Sequence, residues 1–170
     1  MKNHIEIMDY ANHINKVLPK GILLTTAAGG RVNSMTIGWG HLGIEWSRPV
    51  FVAYVRKSRY TTELLKANGE FTVNVPLESV DPEILKVCGR TSGRDMDKIA
   101  QLGLTLSDGE AVSVPAIREL PLTLECRVIY TAEQDASRLP REIQDKYYPG
   151  QPQDIHVAYY GQVVSAYIEE

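Results

Sequence analysis

The chain has 170 residues, 44% of them hydrophobic and 23% charged, with a formal net charge of −3. A domain of this size buries roughly 68–70% of its unfolded surface, so a core needs neither disulfide nor metal. The mildly acidic balance, with Lys and Arg spread along the chain, argues against nucleic acid or an anionic membrane as the main partner and leaves only a local anion site.

Met8 to Leu18 carries apolar residues at helical spacing and is closed by Pro19 and Gly21, which predicts a short amphipathic helix. Ile22 to Ala28 reads as a strand, Gly29-Gly30 as its turn, and Val32 to Trp39 as the hairpin partner. Ile44 to Trp46 extends this region up to a break at Arg48-Pro49, and the apolar run Val50 to Val55 fits a strand buried on both faces. A helix is expected over Thr61 to Ala67, with Thr61 as N-cap and Asn68-Gly69 as a left-handed stop. Phe71 to Val75 alternates with period two, and Asp81 to Val87 is helical with Pro82 in its first turn. Ser92 to Asp95 fits a capping box that opens a helix over Met96 to Leu102, ended by Gly103. Leu120 to Tyr130 and Ile155 to Ile168 are long strands, the second kinked at Gly161, around a polar excursion from Ala136 to Gly150. Six or seven strands with small helices, not alternating regularly, predict one mainly β domain over 1–170, a closed or partly open barrel with peripheral helices.

No window approaches ~18 consecutive apolar residues, so no membrane span is expected. Met1 to Glu6 lacks the apolar core of a secretion signal, and Cys88 and Cys126 form no C-x-x-C pair. Reduced buried thiols and a cytoplasmic location follow as expectations. The four histidines have no ligand-like spacing, and no metal is inferred.

Gly38-Trp39-Gly40-His41-Leu42-Gly43 matches G-x-G-x-x-G letter for letter. A dinucleotide site needs a helix to start there, and Ile44 to Pro49 cannot supply one. Glycines in a twisted strand or bulge, open to close approach by backbone or ligand, are the better reading. Arg56-Lys57-Ser58-Arg59-Tyr60-Thr61 is the stronger signal. Its guanidiniums, hydroxyls and the amides of the following helix suit a phosphate monoester, although a basic turn facing water reads equally well on residue chemistry alone.

Asn33-Ser34-Met35-Thr36-Ile37-Gly38-Trp39, Arg56-x-Ser58-Arg59-Tyr60-Thr61 and Phe71-x-Val73-Asn74 resemble segments of the flavin reductase-like FMN-binding split-barrel family, in its flavoredoxin-like branch. Cys88-Gly89-x-x-Ser92-Gly93-Arg94-Asp95-x-Asp97-Lys98 and Pro121-Leu122-x-Leu124-Glu125-Cys126 fit the same pattern, so the resemblance spans about Gly21 to Ile168. It implies an FMN-binding split β-barrel that works as a homodimer. Carried across, Asn33, Ser34, Met35 and Thr36 would line the flavin ring and Trp39 would border it. Arg56, Ser58, Arg59, Tyr60 and Thr61 would hold the phosphate, with Lys98 reaching the same anion or the ring. Against these stand ordinary core roles for Met35 and Trp39 and a solvated Lys98. Asp154-Ile155-His156-Val157 with Gly161 and Val163 resembles a segment in which the histidine lies near the reducing substrate; a strand-end histidine satisfied by a carbonyl is the alternative. The implied activity is an FMN-dependent reductase drawing on NADH or NADPH, with no protein nucleophile. The rival is an electron carrier docking on a redox partner; a flavin-binding protein without turnover is the third reading.

Overall fold

The computed structural model describes residues 1–150 and 154–170, so 151–153 of the expected single domain lie outside the described residues. In chain order the elements are β1 (Lys2–His4), α1 (Ala11–Val17), β2 (Ile22–Ala28), β3 (Arg31–Ile37), β4 (Gly40–Glu45), β5 (Arg48–Arg56) and α2 (Tyr60–Ala67). There follow β6 (Glu70–Val75), α3 (Pro82–Arg90), α4 (Lys98–Leu102), β7 (Leu106–Ser107), β8 (Ala116–Ile117), β9 (Leu122–Glu133), α5 (Arg141–Tyr147) and β10 (His156–Glu169).

The main sheet has eight strands in the order β3-β2-β6-β9-β10-β5-β4, with β1 added to β10, and every pair is antiparallel. The chain is therefore mainly β with peripheral helices, as expected, with more strands than the six or seven read from the sequence. The two ends of the path, β3 and β4, are consecutive in sequence and joined only by Gly38-Trp39. They do not pair, so the barrel is split at that seam. Its interior is filled by Phe51, Phe71, Val73, Leu122, Leu124 and their neighbours, all buried. Gly161 sits where a Cβ would lie 2.3 Å from the Phe71 ring, and the β9–β10 register shifts beside it. The kink read at Gly161 is this close approach.

Two short turns define the hairpins. Gly29 and Gly30 have φ of 58° and 77°, the left-handed pair that a two-residue turn between twisted strands requires. Trp46 and Ser47 adopt the same geometry at φ 51° and 58° without glycine. The expected break at Arg48-Pro49 is thereby corrected: the chain reverses at Trp46-Ser47, and Pro49 lies inside β5 opposite Ile44.

Three helix boundaries also differ. Arg59, not Thr61, is the N-cap of α2, and its side chain does not cap. Asn68 is extended at φ −138°, not left-handed; its side-chain amide donates instead to the Ala27 carbonyl at 2.8 Å. The capping box at Ser92 closes a turn, and α4 begins only at Lys98, capped by Asp97 accepting from the Ala100 amide. Gly103 ends α4 in the left-handed conformation, as read.

One buried carboxylate organises the far side. Glu125, fully buried on β9, accepts from the amides of Glu110 (2.9 Å), Ala111 (2.6 Å) and Val112 (3.2 Å) and from the Tyr167 hydroxyl (3.0 Å). Burial and the carboxylate push the Tyr167 phenol up, and burial pushes the neighbouring Cys126 thiol up as well. Both cysteines are free and buried. Among the described residues no helix is long and apolar enough to cross a membrane, and no group of three His, Cys, Asp or Glu could hold a metal ion.

Candidate functional site

The seam between β3 and β4 opens into two adjoining cavities. The larger, about 300 Å³, is walled by Met35 to Trp39 of β3 and its exit, by Tyr54, Arg56 and Arg59, and by Gly89, Tyr147 and His156. The smaller, about 140 Å³, lies among Asn33, Ser58 to Thr61, Arg90 to Arg94 and Lys98. Met35 and Arg59 line both, so they form the shared wall. The lining of the smaller cavity includes Arg59, Arg90, Arg94 and Lys98 and no carboxylate. That charge set suits an anion.

Arg59 reaches the shared wall because it caps the start of α2 and both guanidinium ends donate to the Gly89 carbonyl, at 3.0 and 2.9 Å. The first amides of α2 carry no side-chain cap, so their partial positive charge stays available beside it. Thr61 is buried, and its hydroxyl accepts from the Asn33 side-chain amide at 3.1 Å. That bond fixes the Asn33 carboxamide, whose Oδ1 is buried without any partner among the described residues. Gly93 closes over it: a Cβ there would lie 2.1 Å from Asn33 Oδ1 and 2.8 Å from the Tyr60 ring. Tyr60 is flanked by Arg31 and Arg94, whose guanidiniums stand 5.3 and 5.5 Å from its ring centroid.

Lys98 is 3% exposed and donates only weakly, at 3.3 Å, to the Cys88 carbonyl. Burial, with a further push from Arg59, lowers its ammonium to about 8. A buried cation with so little compensation is the arrangement a bound dianion would relieve.

The larger cavity is aromatic. Trp39 packs 5.1 Å from Tyr147 and 4.8 Å from His156 between ring centroids. His156 is buried at the first residue of β10, and its Nδ1 is 2.7 Å from the Tyr148 hydroxyl. Its partner is thus a phenol, not the carbonyl considered from sequence. Burial, then Arg56, lowers its imidazole to about 4, so it is neutral near pH 7.

The sequence candidates divide accordingly. Asn33, Met35, Arg59, Tyr60, Thr61 and Lys98 meet at the smaller cavity, and Met35, Thr36, Trp39 and His156 at the larger. Ser34 lies at neither; its hydroxyl accepts from Thr25 across the hairpin at 3.1 Å. Arg56 lines the ring-sized cavity, and its guanidinium donates to the carbonyls of Asp154 (2.9 Å) and Tyr147 (2.6 Å). Ser58 spends its amide and hydroxyl on the Asp154 carboxylate, each at 2.9 Å. Sequence reasoning missed Gly93, Tyr54 and the pair Tyr147-Tyr148. Gly93 stood within a quoted motif, and two adjacent tyrosines in an otherwise polar excursion were the available signal.

A phosphorylated planar ring fits this donor set. The orphaned Asn33 Oδ1 needs a hydroxyl or N–H donor, the cationic cavity needs an anion, and the aromatic cavity needs a flat apolar body.

Residues 15–170 match the model of the flavin reductase like domain. A protein of Archaeoglobus fulgidus is 32% identical over 125 residues, 74% of this chain and 70% of the relative. YddH of Escherichia coli K12 is 30% identical over 69% of this chain, which spans only 64% of that relative's length. Among solved structures, flavoredoxin from Methanosarcina acetivorans superposes with a TM-score of 0.66 at 29% identity, covering 88% of this chain and 68% of that one. SgcE6 of Streptomyces globisporus, an NADH:FAD oxidoreductase, shares the fold at a TM-score of 0.66 and 19% identity, over 88% of this chain and 75% of its own. A family model covering nearly the whole chain, on a split barrel of the same topology class, is decisive: the chain belongs to the flavin reductase like domain family.

Proposed function

We propose that the chain binds FMN across the two cavities and acts as an oxidoreductase, drawing reducing equivalents from NADH or NADPH and passing them to a second acceptor. The observation that carries this is the shared wall of Met35 and Arg59 between an aromatic cavity and a cationic one. FMN when bound supplies the redox chemistry. The chain's residues bind and orient it. Arg59, Lys98 and the uncapped amides of α2 hold the phosphate, and Asn33 Oδ1 accepts from a hydroxyl or N–H. Met35, Thr36 and Trp39 form the bed of the ring, and neutral His156 is placed to hydrogen-bond a nicotinamide amide rather than to act as an acid. The family relationship and the similarity to an oxidoreductase support this reading. The expected location is the cytoplasm, where Cys88 and Cys126 stay reduced.

The test is the visible absorption of protein purified with added FMN, before and after anaerobic NADH or NADPH. Retained flavin absorption that bleaches with either donor is the expected result; a colourless protein that does not take up FMN overturns the reading.

A second reading, an electron carrier with little nicotinamide activity, is favoured by one feature. Trp39, at the rim of the larger cavity, is 43% exposed and gives a docked protein partner an aromatic contact beside the ring. Similarity to flavoredoxin points the same way. Retained flavin reduced by a ferredoxin and not by NADH or NADPH selects this alternative.

We also propose that the chain is a homodimer. Trp46, in the β4–β5 turn, packs together with Tyr130 of β9 and Tyr160 of β10, and Trp46 and Tyr130 are each 51% exposed. A second copy covers such a face isologously. Light scattering on wild type and Trp46→Glu tests it: a dimer that the variant dissociates is expected, and a monomeric wild type refutes it.

A further inference from the structure

Arg56 and Ser58 sit in the motif read as a phosphate clamp, yet their donors point elsewhere. Arg56 Nη1 and Nη2 donate to the carbonyls of Asp154 and Tyr147, at 2.9 and 2.6 Å, and its guanidinium lies 5.1 Å from the Tyr148 ring centroid. The Asp154 carboxylate accepts from the Ser58 amide and hydroxyl at 2.9 Å each, with Arg56 3.9 Å away. The Lys57 amide adds a bond to the Ile155 carbonyl at 3.1 Å, and His156 is the register partner of Arg56. One arginine and one serine therefore grip Tyr147 and Asp154, and between them they fix Tyr147 and His156, which line the larger cavity opposite β3. An anion reaching for the Ser58 hydroxyl would meet the Asp154 carboxylate, a like charge at contact distance.

We propose that Asp154 is a positioning residue: with Arg56 and Ser58 it clasps the Tyr147 and His156 wall onto the β5–α2 turn, and neither Arg56 nor Ser58 is a phosphate ligand. The wall so held is the side from which a reducing nicotinamide approaches. This rests on the flavin reading of the cavities.

Asp154→Ala removes the acceptor and the charge, whereas Asp154→Asn removes the charge and keeps an oxygen for Ser58. Three readouts separate the roles: FMN dissociation constant from flavin fluorescence, acrylamide quenching of Trp39 in the FMN-free protein on a Trp46→Phe background, and KM against kcat for the nicotinamide donor. Trp39 and Trp46 are the only tryptophans, so the background isolates one probe. In Asp154→Ala the FMN constant stays within about twofold, Trp39 quenching rises by about half, and donor KM rises about tenfold with kcat moved less. Asp154→Asn recovers most of the wild-type behaviour. The clasp is overturned if Asp154→Ala tightens FMN several-fold, because freed donors would then be reaching the phosphate. It is equally overturned if FMN weakens as much as in Arg59→Ala, or if Trp39 quenching is unmoved. Should Asp154→Ala fail to fold, Ser58→Ala decides: unchanged FMN affinity with raised Trp39 quenching is expected, and a tenfold loss of FMN affinity refutes the assignment. Wild type that binds no FMN removes the underlying site and the clasp with it; FMN binding sensitive to Arg59→Ala beside a silent Asp154 removes the clasp alone.

Discussion

Gly93 approaches Asn33 so closely that one added methyl group would stand 2.1 Å from Asn33 Oδ1. The glycine is required by the carboxamide beside it, since its backbone φ is not in the left-handed region. Gly93→Ala therefore turns or displaces a buried acceptor that has no hydrogen-bond partner among the described residues. FMN affinity is expected to fall at least tenfold with secondary structure retained, as read by fluorescence titration and circular dichroism; unchanged affinity would detach Asn33 from the ligand.

Arg59 and Thr61 contribute by different routes. Arg59 brings charge to the shared wall, while Thr61 orients Asn33 through one hydrogen bond. Arg59→Ala should weaken FMN by about 100-fold, in line with loss of a charge-assisted contact of about 3 kcal/mol. Thr61→Ala should cost about tenfold. Riboflavin, lacking the phosphate, should lose little on Arg59→Ala, and calorimetry with both ligands checks the distinction.

Lys98 makes binding depend on pH. Burial, and then Arg59, lowers its ammonium to about 8, and a dianion beside it restores the charged form. Above pH 8 the cavity must take up a proton to bind, so affinity should fall about tenfold between pH 7 and pH 9. Lys98→Met should bind more weakly at pH 7 and lose that slope.

His156 works on stability in acid. Burial and Arg56 lower its folded value to about 4, against about 6.5 in the unfolded chain. The unfolded state binds more protons between those limits, so stability is full above about pH 6.5 and declines as pH falls towards 4. The loss reaches about 3 kcal/mol and should shrink in His156→Gln, measured as urea midpoints at pH 4.5, 5.5 and 7.

Glu125 is the opposite case, a buried carboxylate satisfied by three amides and a phenol. Glu125→Gln sets an N–H group against donors and should cost about 3 kcal/mol, lowering Tm by about 6–12 °C. An unchanged Tm would show that the 110–112 turn repacks without its anchor.

Much of this was legible in the sequence, for reasons that can be located. Ile22 to Ala28 and its Gly29-Gly30 turn were readable because a two-residue glycine turn demands one backbone geometry. The false dinucleotide motif was rejected because Pro49 and the β-rich residues after Gly43 deny a helix, and β4 lies there. The turn at Trp46-Ser47 was not readable, since neither residue favours positive φ; tertiary packing of Trp46 on Tyr130 and Tyr160 holds it. At the site, Arg59, Thr61 and Lys98 came together as the spaced motifs implied, whereas Asn33, expected at the ring, lies with them at the smaller cavity. The engagement of Arg56 and Ser58 was hidden, because Asp154 lies 96 residues beyond Ser58 and no local pattern announces the pairing.

The unjoined strands β3 and β4 carry a dynamic consequence. A closed barrel pairs every strand on both flanks, whereas among the described residues β3 pairs as a strand only with β2. Its outward amides should exchange with deuterium sooner than those of β9 and β10, whose flanks are both occupied. A ligand spanning the gap would slow them, so exchange rates along Asn33 to Ile37 would report occupancy even for a molecule without colour.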